Sequence, residues 1–118
     1  MLGKRGGPVE IGARREGKGL VVSVAGRLDA VSTPDFEKRL LEFVDQGNTM
    51  VVIDGGRLNY ISSAGLRSIL CIAKRLKQGN GILSVAALTG VAKNVFEISG
   101  FNAILPIYET VENALEQK

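Results

Sequence analysis

Met50-Val51-Val52-Ile53-Asp54, then Leu58-Asn59-Tyr60-Ile61-Ser62-Ser63-Ala64-Gly65-Leu66-Arg67, is the stretch whose reading decides the fold. It opens on a short apolar run closed by an aspartate. After Gly65 the apolar positions fall at helical spacing: Leu66, Ile69, Leu70, Ala73 and Leu76. An unbroken β-branched run reads as a buried strand, and a period near 3.6 as an amphipathic helix. Two hydroxyls, Ser62 and Ser63, therefore sit where a strand hands over to a helix. A helix start presents unpaired N–H groups and positive potential, which suit an anionic group such as a phosphate on serine. The plainer alternative is that one serine only caps the helix.

Working outward, the upstream chain holds two strands and a helix. Val9, Ile11 and Ala13 alternate with Glu10, Gly12 and Arg14, a half-buried strand. Glu16-Gly17-Lys18-Gly19 is a tight turn, so Leu20–Ala25 pairs antiparallel with that strand and is apolar enough to be covered on both faces. Gly26–Ser32 reads as a loop. Thr33 is the expected N-cap of the next helix, with Pro34 at its first helical position, Phe36, Leu40, Phe43 and Val44 as its stripe, and Gly47 as its stop. Gly55-Gly56-Arg57 reads as a loosening of the backbone after the central strand, and Asp54 as a carboxylate that orders it.

Downstream, the helix after Ser63 runs to about Gln78 and stops at Gly79-Asn80-Gly81. Ile82–Ala87 is a further strand. Leu88-Thr89-Gly90 leads into a third helix carrying Ala92, Val95, Phe96 and Ile98, with Gly100 as its stop. Ile104–Tyr108 is a short strand placed at an edge by Pro106. Thr110 caps a last helix with Glu112 in its first turn and Val111, Ala114 and Leu115 inward. Strands alternating with helices give a parallel sheet with right-handed crossovers, here mixed by the opening hairpin. The expected fold class is α/β: four to five strands and about four helices. In such sheets the loops leaving the C-terminal strand ends share one rim, where ligands and partners bind. Asp29, Ser62-Ser63 and Thr89-Gly90 leave such ends.

Composition narrows the chemistry. At 118 residues the chain has the length of one domain, and 45% apolar with 23% charged residues is ordinary for a globular fold. No run is long and apolar enough for a transmembrane helix, and the start lacks the apolar core of a signal peptide, so a cytoplasmic location is expected. There is no histidine, which removes the commonest general base and metal ligand. The single Cys71 is expected on the apolar stripe of its helix as a small core residue. A net charge of +3 without a dense basic run, and no tryptophan, argue against direct nucleic-acid binding. A Gly-x-Ser-x-Gly elbow, a phosphate-binding P-loop and a dinucleotide fingerprint are all missing. The reading is a protein-binding module rather than an enzyme. No metal or cofactor is called for.

Val51-Val52-Ile53-Asp54 followed by Leu58–Leu66 resembles the signature of STAS domains, which include bacterial anti-sigma factor antagonists. Gly26-Arg27-Leu28-Asp29 with Thr33 resembles the family's entry to its first helix, and Ser99-Gly100-Phe101 with Ile104–Tyr108 its C-terminal part. Residues 1–8 are Gly-rich and polar and read as a disordered tail, and the resemblance implies 9–118 as one STAS domain. It implies an antagonist that binds a serine-kinase anti-sigma factor, is switched off by phosphorylation at the position of Ser63, and is restored by a serine phosphatase. A nucleotide is implied only within the complex. Ser62 stands where the family often has aspartate. Together with the shared rim, this gives Asp29, Thr33, Ser62, Ser63, Ala64, Gly65, Arg67 and Thr89 as the partner-binding set. A scaffold subunit of a larger signalling or lipid-transport complex is the other role that stand-alone members of the family suggest.

Overall fold

The computed structural model describes residues 9–117, so the expected tail, residues 1–8, lies outside it. In chain order the elements are β1 (Val9–Glu16), β2 (Gly19–Leu28), α1 (Thr33–Asp45), β3 (Met50–Ile61), α2 (Ser63–Gln78), β4 (Ile82–Ala86), α3 (Gly90–Ile98), β5 (Ile107–Tyr108) and α4 (Val111–Glu116). A 3₁₀ turn, Phe101–Ala103, separates α3 from β5. The five strands lie side by side in the order β1-β2-β3-β4-β5. The β1–β2 pair is antiparallel and the others are parallel. This is the mixed, mostly parallel α/β sheet expected from the alternation of strands and helices.

The apolar pattern shows why the sheet closes. Leu20, Val22 and Val24 of β2, with Val51 and Ile53 of β3, join one core with Phe36 and Leu40 of α1, Leu66, Ile69, Ile72 and Leu76 of α2, and Ala92 and Phe96 of α3. The intervening Val21 and Val52 point to the other face and meet Val111 and Ala114 of α4. Period-2 alternation thus feeds two cores, which explains a strand without polar positions. Each of the larger buried side chains contributes about 2 kcal/mol by leaving water.

Two strands run further than their composition suggests. β2 continues through Gly26-Arg27-Leu28, expected as loop, and β3 continues through Gly55-Gly56-Arg57 to Ile61. Register shifts between Ser23 and Ala25 and between Gly26 and Arg27 absorb the irregularity, with Gly26 at φ 105°. Gly55 fits because a Cβ there would lie 2.7 Å from Leu88 Cδ2. Since β4 ends opposite Asp54, the upper parts of β2 and β3 extend past it as a two-stranded ribbon.

Four local expectations are corrected. Ser32 takes the N-cap position of α1, and Thr33 is already helical. Cys71 is exposed; it sits about 200° round the helix from Ile69, and Ile72 occupies the buried position instead. Ile98 is 86% exposed, because it too lies about 200° round α3 from buried Phe96. The last strand is only Ile107–Tyr108. Ile104 is exposed after the 3₁₀ turn, while the Pro106 carbonyl accepts from the Val85 N–H at 3.1 Å.

Candidate partner-binding site

The site grows from the end of the β2–β3 ribbon. Leu28 pairs with Ile61, the last residues of the two strands. The Ser62 N–H then donates to the Leu28 carbonyl at 2.9 Å. This brings the loop beginning at Asp29 beside the start of α2.

The two serines take different tasks. Ser62 is the N-cap of α2, with extended backbone (φ −91°, ψ 173°) and a side-chain oxygen that accepts from the Gly65 N–H at 3.2 Å. It is half-buried. Ser63 is the first helical residue and is exposed, with no hydrogen bond to its hydroxyl among the described residues. Helix geometry leaves the N–H groups of Ser63 and Ala64 without an intrahelical acceptor. The positive end of α2, which has no acidic residue in its first turn, thus faces solvent beside a free hydroxyl.

Gly65 is set by packing. A Cβ at this position would stand 2.8 Å from Ile61 Cγ1 and 3.1 Å from both Leu28 Cγ and the Leu28 carbonyl oxygen. Glycine therefore lets α2 begin directly on the strand ends. Ala64 is half-buried beside it, and Arg67, one turn along from Ser63, is exposed.

The Asp29 loop is held by its own side chains. Asp29 Oδ1 accepts from the N–H groups of Val31 at 3.0 Å and Ser32 at 3.1 Å. The Ser32 hydroxyl, in turn, accepts from the Asp29 N–H at 3.0 Å and donates to the Arg27 carbonyl at 2.8 Å. The Ser32 backbone bond is the leading cause that holds the Asp29 carboxyl below its ordinary range; burial opposes it, and Val31 and Arg27 assist. Asp29 is thus a loop organiser with part of its carboxylate still open to solvent.

Not every expected residue joins this rim. Thr33 is buried, and its Oγ1 has no hydrogen-bond partner among the described residues. Thr89 is exposed at the N-cap position of α3, without a side-chain cap bond. It leaves β4, which ends opposite Asp54. Ala87 and Leu88, which follow β4, pack beside Gly56 and Gly55 of β3. Asp54 itself accepts from the Gly56 N–H at 3.0 Å.

One pair escaped the sequence reading. The Arg27 guanidinium lies over the Tyr60 ring, 4.4 Å from its centroid, with Asp29 Oδ2 3.8 Å from Arg27 Nε. Arg27 and Tyr60 are register partners only because of the shift at Gly26, and that shift has no local sequence signal beyond the glycine. Among the described residues no group of three or more metal-ligating side chains converges, and no helix is long and apolar enough to cross a membrane.

Comparisons with known proteins fit this geometry. A family model described as the STAS domain matches residues 10–114. BtrV of Bordetella bronchiseptica, named as a candidate anti-sigma factor antagonist, is 42% identical over 95 residues, covering 80% of this chain and 82% of BtrV. An anti-sigma factor antagonist from Mycobacterium paratuberculosis has a TM-score of 0.84 at 24% identity, over 92% of each chain. SpoIIAA in its unphosphorylated form has a TM-score of 0.77 at 19% identity, over 92% of this chain and 95% of its own. In its phosphorylated form, under the name of a Bacillus cell fate determinant, it has a TM-score of 0.69 at the same identity, over 92% of this chain and 98% of its own. At these identities the solved structures speak for the fold, while the family match and BtrV speak for kinship. The chain belongs to the STAS domain family, among proteins named as anti-sigma factor antagonists.

Proposed function

We propose that this protein is an anti-sigma factor antagonist that binds a serine-kinase anti-sigma factor while Ser63 is unmodified and is released when Ser63 is phosphorylated. The observation that carries this reading is the division of labour at the turn. Ser62 is occupied as the cap of α2, and Ser63 presents a free, exposed hydroxyl one residue later. SpoIIAA, which shares the fold, is named in an unphosphorylated and a phosphorylated form.

The mechanism is electrostatic. Phosphorylation adds about −1.5 to −2 charges and three acceptor oxygens at neutral pH. The helix start tolerates that charge, so the domain stays folded. A partner surface packed over Ser63 has to desolvate the charge and bring its own groups against it, so the complex weakens. The neighbouring Asp29 loop, Ala64 and Arg67 complete the contact surface, and a serine phosphatase resets it. This role requires no turnover by the protein itself.

The test is incubation with the kinase and ATP followed by mass spectrometry. Phosphate is expected on Ser63 and not on Ser62. Ser63→Ala is expected to retain partner binding and Ser63→Asp to weaken it. Undiminished phosphate incorporation into Ser63→Ala overturns the assignment, and equal affinities of Ser63→Ala and Ser63→Asp overturn the charge mechanism.

A further inference from the structure

We propose that the outward face of α2 is a cationic docking strip for an acidic protein surface, with Ser63 at one end. The proposal rests on the functional reading above and adds the chemistry of the partner. The sequence of α2, SAGLRSILCIAKRLKQ, contains four cations, Arg67, Lys74, Arg75 and Lys77, and no carboxylate. At about 100° per residue, Arg67, Lys74 and Lys77 fall within about 40° of the line through Ser63. That line lies about 120–180° round the helix from the buried Ile69, Ile72 and Leu76. All three cations are exposed, and none makes an ion pair or hydrogen bond with another described side chain.

Local helix chemistry accounts for only part of this charge. A cation in the last turn complements the helix dipole, which covers Arg75 and Lys77. Arg75 is also paired with Asp45 of α1 at 2.7 Å. Arg67 and Lys74 are left over. Arg67 stands near the positive end of the helix, where a cation is unfavourable, and no glutamate or aspartate lies three or four residues away to offset it. An arrangement that costs the isolated domain is explained by an external anion.

The surroundings fix its position. α1 carries Asp35, Glu37, Glu42 and Asp45 against Lys38 and Arg39, so its charge is net negative and an acidic partner is favoured on α2 over the neighbouring helix. Ser63 lies about 6 Å along the axis from Arg67 and about 16 Å from Lys74, at 1.5 Å per residue. A phosphate on Ser63 cancels the near half of the strip, so that modification removes attraction as well as adding repulsion.

The experiment measures association of the full chain with the purified kinase that modifies Ser63, in about 50 mM and about 500 mM salt. Lys74→Glu is expected to slow association about tenfold in low salt and about twofold in high salt, with dissociation little changed. Lys93→Glu, an exposed lysine on α3, is the control for net charge and is expected to stay within about twofold of wild type. Both substitutions are at exposed positions, and circular dichroism checks that the variants are folded. Equal association rates for wild type and Lys74→Glu overturn this inference alone, as does an equal loss in Lys93→Glu. Lys74-dependent binding to phosphatidylserine vesicles or duplex DNA, with kinase association unaffected, assigns the strip to another macromolecule and overturns it. Failure of wild type to bind any such kinase overturns the functional reading and this inference with it.

Discussion

The Ser62 N–H donates to the Leu28 carbonyl at 2.9 Å, and Gly65 packs against the same Leu28. One residue of β2 thereby receives both the end of β3 and the start of α2. The rim geometry depends on this junction more than on any side chain that faces solvent. Gly65→Ala tests it. In an exposed helix interior that change gains about 1 kcal/mol. Here the added methyl meets Ile61 Cγ1 at 2.8 Å and the Leu28 carbonyl at 3.1 Å, and backbone cannot rotate out of the way. Overpacking of this kind costs about 1–3 kcal/mol. We expect a net loss of up to about 2 kcal/mol in urea unfolding, with unchanged m-value; an unfolding midpoint above wild type refutes the packing account.

The two serines should separate cleanly in stability. Ser62→Ala removes the cap acceptor of the Gly65 N–H and is expected to cost about 1 kcal/mol. Ser63→Ala removes a hydroxyl without a partner among the described residues and is expected to stay within about 0.5 kcal/mol of wild type. Thermal unfolding of the two variants side by side decides it. Similar losses for both would mean that Ser63 has a structural task that the geometry does not reveal.

Much of this was legible before any coordinates. Alternation in β1, the uninterrupted β2 and β3 runs, and the helical spacing of Phe36–Leu40 and Leu66–Leu76 follow directly from burial on a sheet or a helix face. The serine turn was legible for the same reason: a strand-to-helix junction needs a cap, and two hydroxyls stand there. What remained hidden depended on pairing. Gly26 and Gly55-Gly56 read as loop because glycine is depleted in strands, yet tertiary register keeps them in β2 and β3. That extension creates the Arg27–Tyr60 contact. Cys71 and Ile98 were misplaced for a simpler reason: hydrophobic character outweighed angular position, and each lies about 200° round its helix from a buried neighbour.

The Arg27–Tyr60 contact calls for a double-mutant cycle. Arg27 is 56% exposed on its side chain and 4.4 Å above the Tyr60 ring centroid. An exposed cation–π pair is worth about 0.5–1 kcal/mol. Arg27→Ala, Tyr60→Ala and the double variant, compared by urea unfolding, are expected to show a coupling energy in that range. Additive losses would show the stacking to be geometric coincidence. If the pair also orders the rim, Tyr60→Ala should lower partner affinity without altering the kinase's site preference for Ser63.

Asp29 offers a pH handle on the same loop. Its carboxyl is held below the ordinary value of 3.8, first by the Ser32 backbone N–H, then by Val31, the Ser32 hydroxyl and Arg27, against the opposing effect of burial. A carboxylate whose folded pKa is depressed leaves the folded state with fewer bound protons than the unfolded chain, so stability rises with pH through that interval. Its contribution is fully present above the unfolded value and is lost as pH falls through the lowered folded value. Asp29→Asn keeps an acceptor oxygen but does not titrate. The stability gap between wild type and Asp29→Asn is therefore expected to be widest near neutral pH and to close below about pH 4, in urea midpoints measured across the range. A gap that persists unchanged to about pH 2 would show that the loop depends on the shape of the side chain at position 29 rather than on its charge.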